Sequence, residues 1–123
     1  MSQIITITVA GQNFSARLND SAAARKLIEA LPLTVTMSRW GNEYYGDCTL
    51  NIEDIESARE IMEVGEIAYW PPGSALCFFF GATPASADER PRAASPVVPL
   101  GMITSDTEPL KAFGSTIRAE IKI

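Results

Sequence analysis

The architecture is decided by Gly65-Glu66-Ile67-Ala68-Tyr69-Trp70-Pro71-Pro72-Gly73-Ser74-Ala75-Leu76-Cys77-Phe78-Phe79-Phe80-Gly81. A proline has no backbone N–H and pushes its predecessor toward extended geometry, so Trp70 ends one strand and residues 71–74 turn at a rim. Residues 66–70 and 75–80 then read as two successive strands. The second does not alternate. Its unbroken apolar run, Leu76 to Phe80, is expected of a strand covered on both faces, or of one whose second face lines an apolar groove.

Outward from this pair, the strand pattern continues in both directions. Ile5, Ile7 and Val9 alternate with threonines, and Phe14, Ala16 and Leu18 alternate with Ser15 and Arg17, with Ala10-Gly11-Gln12 between them. Period-2 runs joined by so short a Gly-containing link predict a hairpin. Asn19-Asp20-Ser21 offers three N-caps for a helix whose stripe is Ala24, Leu27, Ile28 and Leu31, ended by Pro32. Residues 34–40 read as a strand with Val35 and Met37 on one face, Gly41-Asn42 as a turn, and Glu43-Tyr44-Tyr45 as the returning strand. Residues 49–52 are a weaker strand candidate. Ile55, Ala58 and Met62 predict a short acidic helical turn through Glu63, stopped by Gly65. Residues 81–98 read as one long irregular loop, residues 100–104 as a strand and residues 107–113 as one or two helical turns. Ile117, Ala119, Ile121 and Ile123 close the chain with clean alternation.

This gives seven or eight strands and one firm helix within 123 residues, which we read as one domain, residues 1–123. Both ends are strands, which invites their pairing, and closing the sheet removes exposed edges. The expected fold is mainly β: a closed eight-stranded antiparallel barrel with one or two capping helices. A barrel of about eight strands fills its interior with side chains, so a ligand site belongs on the outside or the rim.

Composition narrows the chemistry. Ten Lys plus Arg against fifteen Asp plus Glu leave a formal charge of −5, which argues against phosphate-backbone binding and hence a nucleic-acid partner. No histidine is present, which removes His-based triads, His–metal sites and imidazole proton shuttles. Two cysteines, Cys48 and Cys77, are too few for a structural zinc site or a disulfide framework. Cys77 sits among apolar neighbours that raise a thiol pKa, and Cys48 lacks a cationic activator. The acidic residues Glu53, Asp54, Glu56, Glu60, Glu63 and Glu66 lack Ca²⁺-loop spacing and read as a solvated face. No cofactor or metal is expected. The N-terminus lacks a basic region followed by a long apolar run, and no stretch approaches the ~20 apolar residues of a membrane helix. The expectation is a cytoplasmic chain without a membrane partner.

The order of elements, the Arg39-Trp40-Gly41-Asn42-Glu43 strand end, the Tyr69-Trp70-Pro71-Pro72-Gly73 segment and Ala75-Leu76-Cys77-Phe78-Phe79-Phe80-Gly81 together resemble the small bacterial and archaeal cyclophilin-like proteins, a family of largely uncharacterised function. The likeness extends over essentially the whole chain and implies the eight-stranded barrel. True cyclophilins are peptidyl-prolyl isomerases. By that resemblance Thr36-Met37-Ser38-Arg39 matches their Phe-His-Arg strand, with Arg39 the counterpart of the catalytic arginine. Residues 75–79 match their Gly-Ser-Gln-Phe-Phe strand, which places Phe79 on the proline-binding floor. Residues 95–101 match their His-Val-Val-Phe-Gly segment without its histidine. The family's substrate-binding glutamine and proline-pocket tryptophan have no counterpart here.

Prolyl isomerisation needs no nucleophile or metal, only an apolar seat for the ring and a fixed donor that stabilises the twisted amide against a barrier of ~18–20 kcal/mol. Arg39 suits the donor role, because its guanidinium stays charged and is planar. It reads equally as a strand-end cation that stacks on Trp40 or Tyr45 or meets a local carboxylate. The Phe78-Phe79-Phe80 run reads as core or as groove floor, and Trp70-Pro71-Pro72-Gly73 as rigid turn or ligand platform. The preferred expectation is a barrel with little or no isomerase activity. It would bind a proline-containing peptide or small apolar ligand in a groove of Arg39, Tyr44, Tyr45, Trp70, Phe78 and Phe79. The alternatives are a divergent isomerase using Arg39, and a structural module that self-associates. The sequence leaves the oligomeric state open.

Overall fold

Ala10 and Gly11 both adopt positive φ, 51° and 80°, the two-residue turn whose twist matches that of paired strands. It joins β1 (Gln3–Val9) to β2 (Gln12–Leu18) as an antiparallel hairpin. The computed structural model describes residues 3–53, 55 and 57–123. Among these, α1 (Ala22–Ala30) follows, then β3 (Leu33–Arg39), β4 (Glu43–Asp47), β5 (Arg59–Ile61), β6 (Glu66–Trp70), β7 (Ala75–Phe79), β8 (Arg92–Ile103) and β9 (Thr116–Lys122). Two 3-10 turns, Pro71–Gly73 and Glu108–Ala112, complete the regular structure.

The strands pair in the order β2-β1-β9-β3-β4-β7-β6-β8, and β8 returns to β2 through Ala16↔Ile103 and Leu18↔Gly101. That last pairing closes an eight-stranded antiparallel barrel, with β5 as a ninth strand attached to the outside of β8. The terminal strands β1 and β9 lie side by side. Ile5, Ile7, Val9, Phe14, Leu18, Val35, Met37, Tyr44, Phe78, Phe80, Leu100 and Ile121 pack the interior.

Helix α1 covers this core with Ala23, Ala24 and Leu27 buried. Ser21 is its N-cap, with Oγ accepting from the Ala24 N–H at 3.0 Å. Removing that acceptor orphans a helix donor. Ser21→Ala is therefore expected to lower stability by about 1 kcal/mol, read as a shifted urea midpoint with an unchanged slope.

Three local expectations are corrected. Residues 49–52 carry no strand; Thr49 takes a positive φ of 59°. Among the described residues no helix runs through Ala58 and Met62 as expected from Ile55, and Arg59–Ile61 is extended instead. So short a helix has little stability of its own, and pairing with β8 through Arg59↔Val97 and Ile61↔Arg92 wins. Of that acidic run, Asp54 and Glu56 lie outside the described residues, whereas Glu60 meets Arg92 at 2.8 Å and Glu66 meets Arg59 at 2.6 Å. The long loop expected over residues 81–98 ends at Pro91, because Arg92–Ile103 is one twelve-residue strand. Pro96 and Pro99 mask it in the sequence; Pro99 pairs opposite Ala68 beside a register shift between Ile67 and Ala68, where an absent N–H is tolerated. Among the described residues no helix is long and apolar enough to cross a membrane.

Candidate functional site

Strand geometry separates the residues expected to share one groove. Consecutive residues on a strand face opposite sides of the sheet, so Tyr44 and Tyr45 diverge, as do Phe78 and Phe79. Tyr44 and Phe78 point into the barrel core. Tyr44 is fully buried, stacks on Phe80 with centroids 5.4 Å apart, and donates its hydroxyl to the Gly114 carbonyl at 2.6 Å. Burial pushes its phenol pKa up, against the opposing pull of the Arg39 charge.

Arg39 lies at the end of the barrel. Its guanidinium donates to the carbonyls of Gly41 at 2.8 Å, Lys111 at 2.9 Å and Phe113 at 3.0 Å, and to Asn42 Oδ1 at 3.1 Å. Its carbon stands 5.2 Å from the Phe80 ring centroid and 5.9 Å from that of Tyr44. It ties the β3–β4 turn to the 3-10 segment before β9. Each such bond to a charged donor contributes on the order of 1.5–3 kcal/mol, so reorienting this side chain is costly.

Tyr45, Trp70 and Phe79 belong to the outer face. Cross-strand register sets Glu43 beside Phe79, Tyr45 beside Cys77, Cys77 beside Ala68, and Trp70 beside Ala75. Met62, Ala68, Cys77, Phe79, Ala93 and Val97 form a second apolar cluster here, with Trp70 packed against it. Above it opens a pocket of about 310 Å³ lined by Trp40, Glu43, Tyr45, Trp70, Ala93, Ala94 and Val97. Phe79 is beneath this surface, buried in the cluster rather than exposed to the hollow.

The sequence reading omits Trp40 and Glu43 from this site, although a local signal marks them. Gly41-Asn42 is a two-residue turn, and the flanking pair exchanges backbone bonds, Trp40 N to Glu43 O at 2.8 Å and Glu43 N to Trp40 O at 3.1 Å. Residues so paired share a face, and Tyr45 is two positions further along it. Ala93, Ala94 and Val97 had no comparable signal, since they come from the strand hidden in the presumed loop.

The Trp70 ring is held in place. Its Nε1–H donates to Ser95 Oγ at 2.7 Å, and Gly73 packs so closely that a Cβ there would fall 2.8 Å from the ring. Tyr45 is 37% exposed. Glu43 is the unusual member of the site. It is only 5% exposed, and its Oε1 is buried with no hydrogen-bond partner. Burial raises its carboxyl pKa from 4.5 to about 7, with a bond from the Cys77 thiol acting the other way. Burial also drives the Cys77 thiol well above its ordinary range, and the Glu43 charge adds to this. Cys77 is thus a neutral thiol at physiological pH, unsuited to nucleophilic attack.

A closed antiparallel β-barrel with a packed interior and its concave site on the outer wall is the class of protein these features define. The sequence matches the family described as Cyclophilin-like over residues 3–122, and the chain belongs to that family. It is similar to the solution structure of the hypothetical protein AF2241 from Archaeoglobus fulgidus. That likeness has 31% sequence identity and a TM-score of 0.82, covering 98% of this chain and 94% of that one. No curated protein is similar to it at a significant level.

Proposed function

We propose that the chain is a binding barrel with little or no isomerase activity, which holds a small apolar ligand or a proline-containing segment in the outer-wall pocket. The observation that carries this reading is three aromatic side chains, Trp40 and Tyr45 from the β3–β4 hairpin and Trp70 from the end of β6, around one hollow of about 310 Å³. That volume falls at the small end of ligand sites, roughly 300–1,000 Å³. Weak or absent isomerisation is supported by the state of Arg39. A donor that stabilises a twisting amide must be free to meet it, whereas this guanidinium is bonded to three carbonyls and an amide oxygen, and it is not among the pocket-lining residues.

Both tryptophans of the chain line the pocket, so tryptophan emission, excited beyond the tyrosine band, reports on that site. Titration with benzyl alcohol and with a short Ala-Pro peptide is expected to give a saturable change in emission for at least one of them. The same protein at micromolar concentration is expected to leave X-Pro isomerisation at its uncatalysed rate. Flat titrations with both probes would remove the binding reading. A rate enhancement abolished by Arg39→Ala would replace it with a divergent isomerase.

A further inference from the structure

Three polar or charged side chains are buried among the described residues: Glu43, Glu66 and Thr83. Two are fully provided for. Glu66 accepts from Arg59 at 2.6 Å and from the Glu63 N–H at 2.9 Å, and Thr83 donates to the Arg92 carbonyl and accepts from the Ala85 N–H at 3.2 Å. Glu43 alone has a buried oxygen that no group bonds, and it is also the one charged residue in the lining of the aromatic pocket. A buried carboxylate without a counter-charge is among the most expensive arrangements in a protein, and the uncompensated group is expected to mark a place where something else binds.

The chemistry of the lining selects among ligands. An anion would face the Glu43 carboxylate across a low-dielectric pocket and be repelled. A neutral apolar molecule would bury that carboxylate further and leave its oxygen unpaired. A cation offers what is missing twice, because a carboxylate accepts charge-assisted hydrogen bonds from an ammonium and the faces of Trp and Tyr attract the same charge. The fixed Trp70 ring has its N–H engaged by Ser95, so what it has left to present is π surface. No other lining residue carries a charge, so the Glu43 charge is not already answered within the pocket.

We propose that this pocket takes a small organic ammonium, a protonated primary amine on an apolar or aromatic group, with its N–H donors on Glu43 and its apolar part against Trp40, Tyr45 and Trp70. The proposal rests on the reading that the pocket is a ligand site and names the ligand's chemical class.

The test compares benzylammonium with benzyl alcohol, two probes of nearly the same shape that differ in charge, titrated into the intact protein at about pH 8 with tryptophan emission as readout. In the wild-type chain, benzylammonium is expected to bind at least ~10-fold more tightly than benzyl alcohol. In Glu43→Gln that preference is expected to fall to within about 2-fold, with a single cooperative urea transition showing that the variant is folded. If the wild-type protein binds both probes equally, or prefers the alcohol, the ammonium proposal fails and the apolar-ligand reading survives. If Glu43→Gln retains the full preference, the carboxylate is not its source and the proposal fails. If neither probe changes the emission at roughly millimolar concentration, the ammonium proposal fails, and a flat titration with the Ala-Pro peptide as well would remove the binding reading with it. The wild-type ratio decides the matter by itself should the variant not fold.

Discussion

Glu43→Gln is expected to stabilise the folded protein at about pH 8 by about 2 kcal/mol and to flatten its pH dependence between about pH 5 and pH 8. Burial holds the folded carboxyl at about 7 against 4.5 for the free side chain. The folded chain therefore keeps a proton that the unfolded chain releases, and in the window from 4.5 to about 7 unfolding is accompanied by proton loss. Stability from this group is greatest below the lower value, declines as pH rises, and reaches its full penalty above the higher one. A shift of that size corresponds to about 3 kcal/mol at most. The glutamine recovers less than this, because its amide is also buried with few partners. Cys77, the titratable group that bonds Glu43, has a raised pKa that keeps it neutral across the window. Urea titrations of both proteins at the two pH values provide the check. Wild-type stability is expected to drop with pH while the variant holds level, and parallel declines would show that the Glu43 carboxyl is not the source. The retained acid, at this expense in stability, is what a functional role for it would require.

Gly101→Ala is expected to lower stability by about 3 kcal/mol or more, with a fall of at least about 10 °C in Tm. Gly101 sits on β8 where that strand meets both neighbours, opposite Leu18 of β2 and Ile67 of β6. A Cβ there would run into the Arg17 carbonyl oxygen and come within 2.8 Å of the Leu18 Cα. Both obstacles are backbone, so no side-chain rotation relieves them, and the strain falls on the seam that closes the barrel. Gly114→Ala is the control, since nothing lies within 4 Å of its added carbon. It is expected to change stability by less than about 0.5 kcal/mol. Equal midpoints for the two variants would show that the seam yields without strain.

The residues that escape a reading of the sequence share a cause. Arg59–Ile61 and the first half of β8 form strands because each supplies the other's hydrogen bonds across more than thirty positions of chain, and neither has a local pattern strong enough to announce it. The groove expected around Arg39 fails on a different point. The aromatic enrichment of Tyr44-Tyr45 and Phe78-Phe79 is real, but period-2 geometry divides each pair between the core and the outer wall. Arg39 is drawn inward by carbonyls of Gly41, Lys111 and Phe113, two of them some seventy residues distant in sequence.

The sequence by itself determined the strands that alternate, the hairpin at Ala10-Gly11-Gln12, the helix stripe ended by Pro32, the unbroken apolar run of β7 and, from these, a closed barrel. Steric preference and hydrophobic period act over a few residues and are written in neighbouring letters. Only the tertiary structure decided which face each aromatic occupies in the assembled wall, that Trp40 and Glu43 join Tyr45 and Trp70 around one hollow, and that the Glu43 carboxyl is left there without a partner. Desolvation and pairing depend on what distant segments bring to the same place, and no local pattern encodes that.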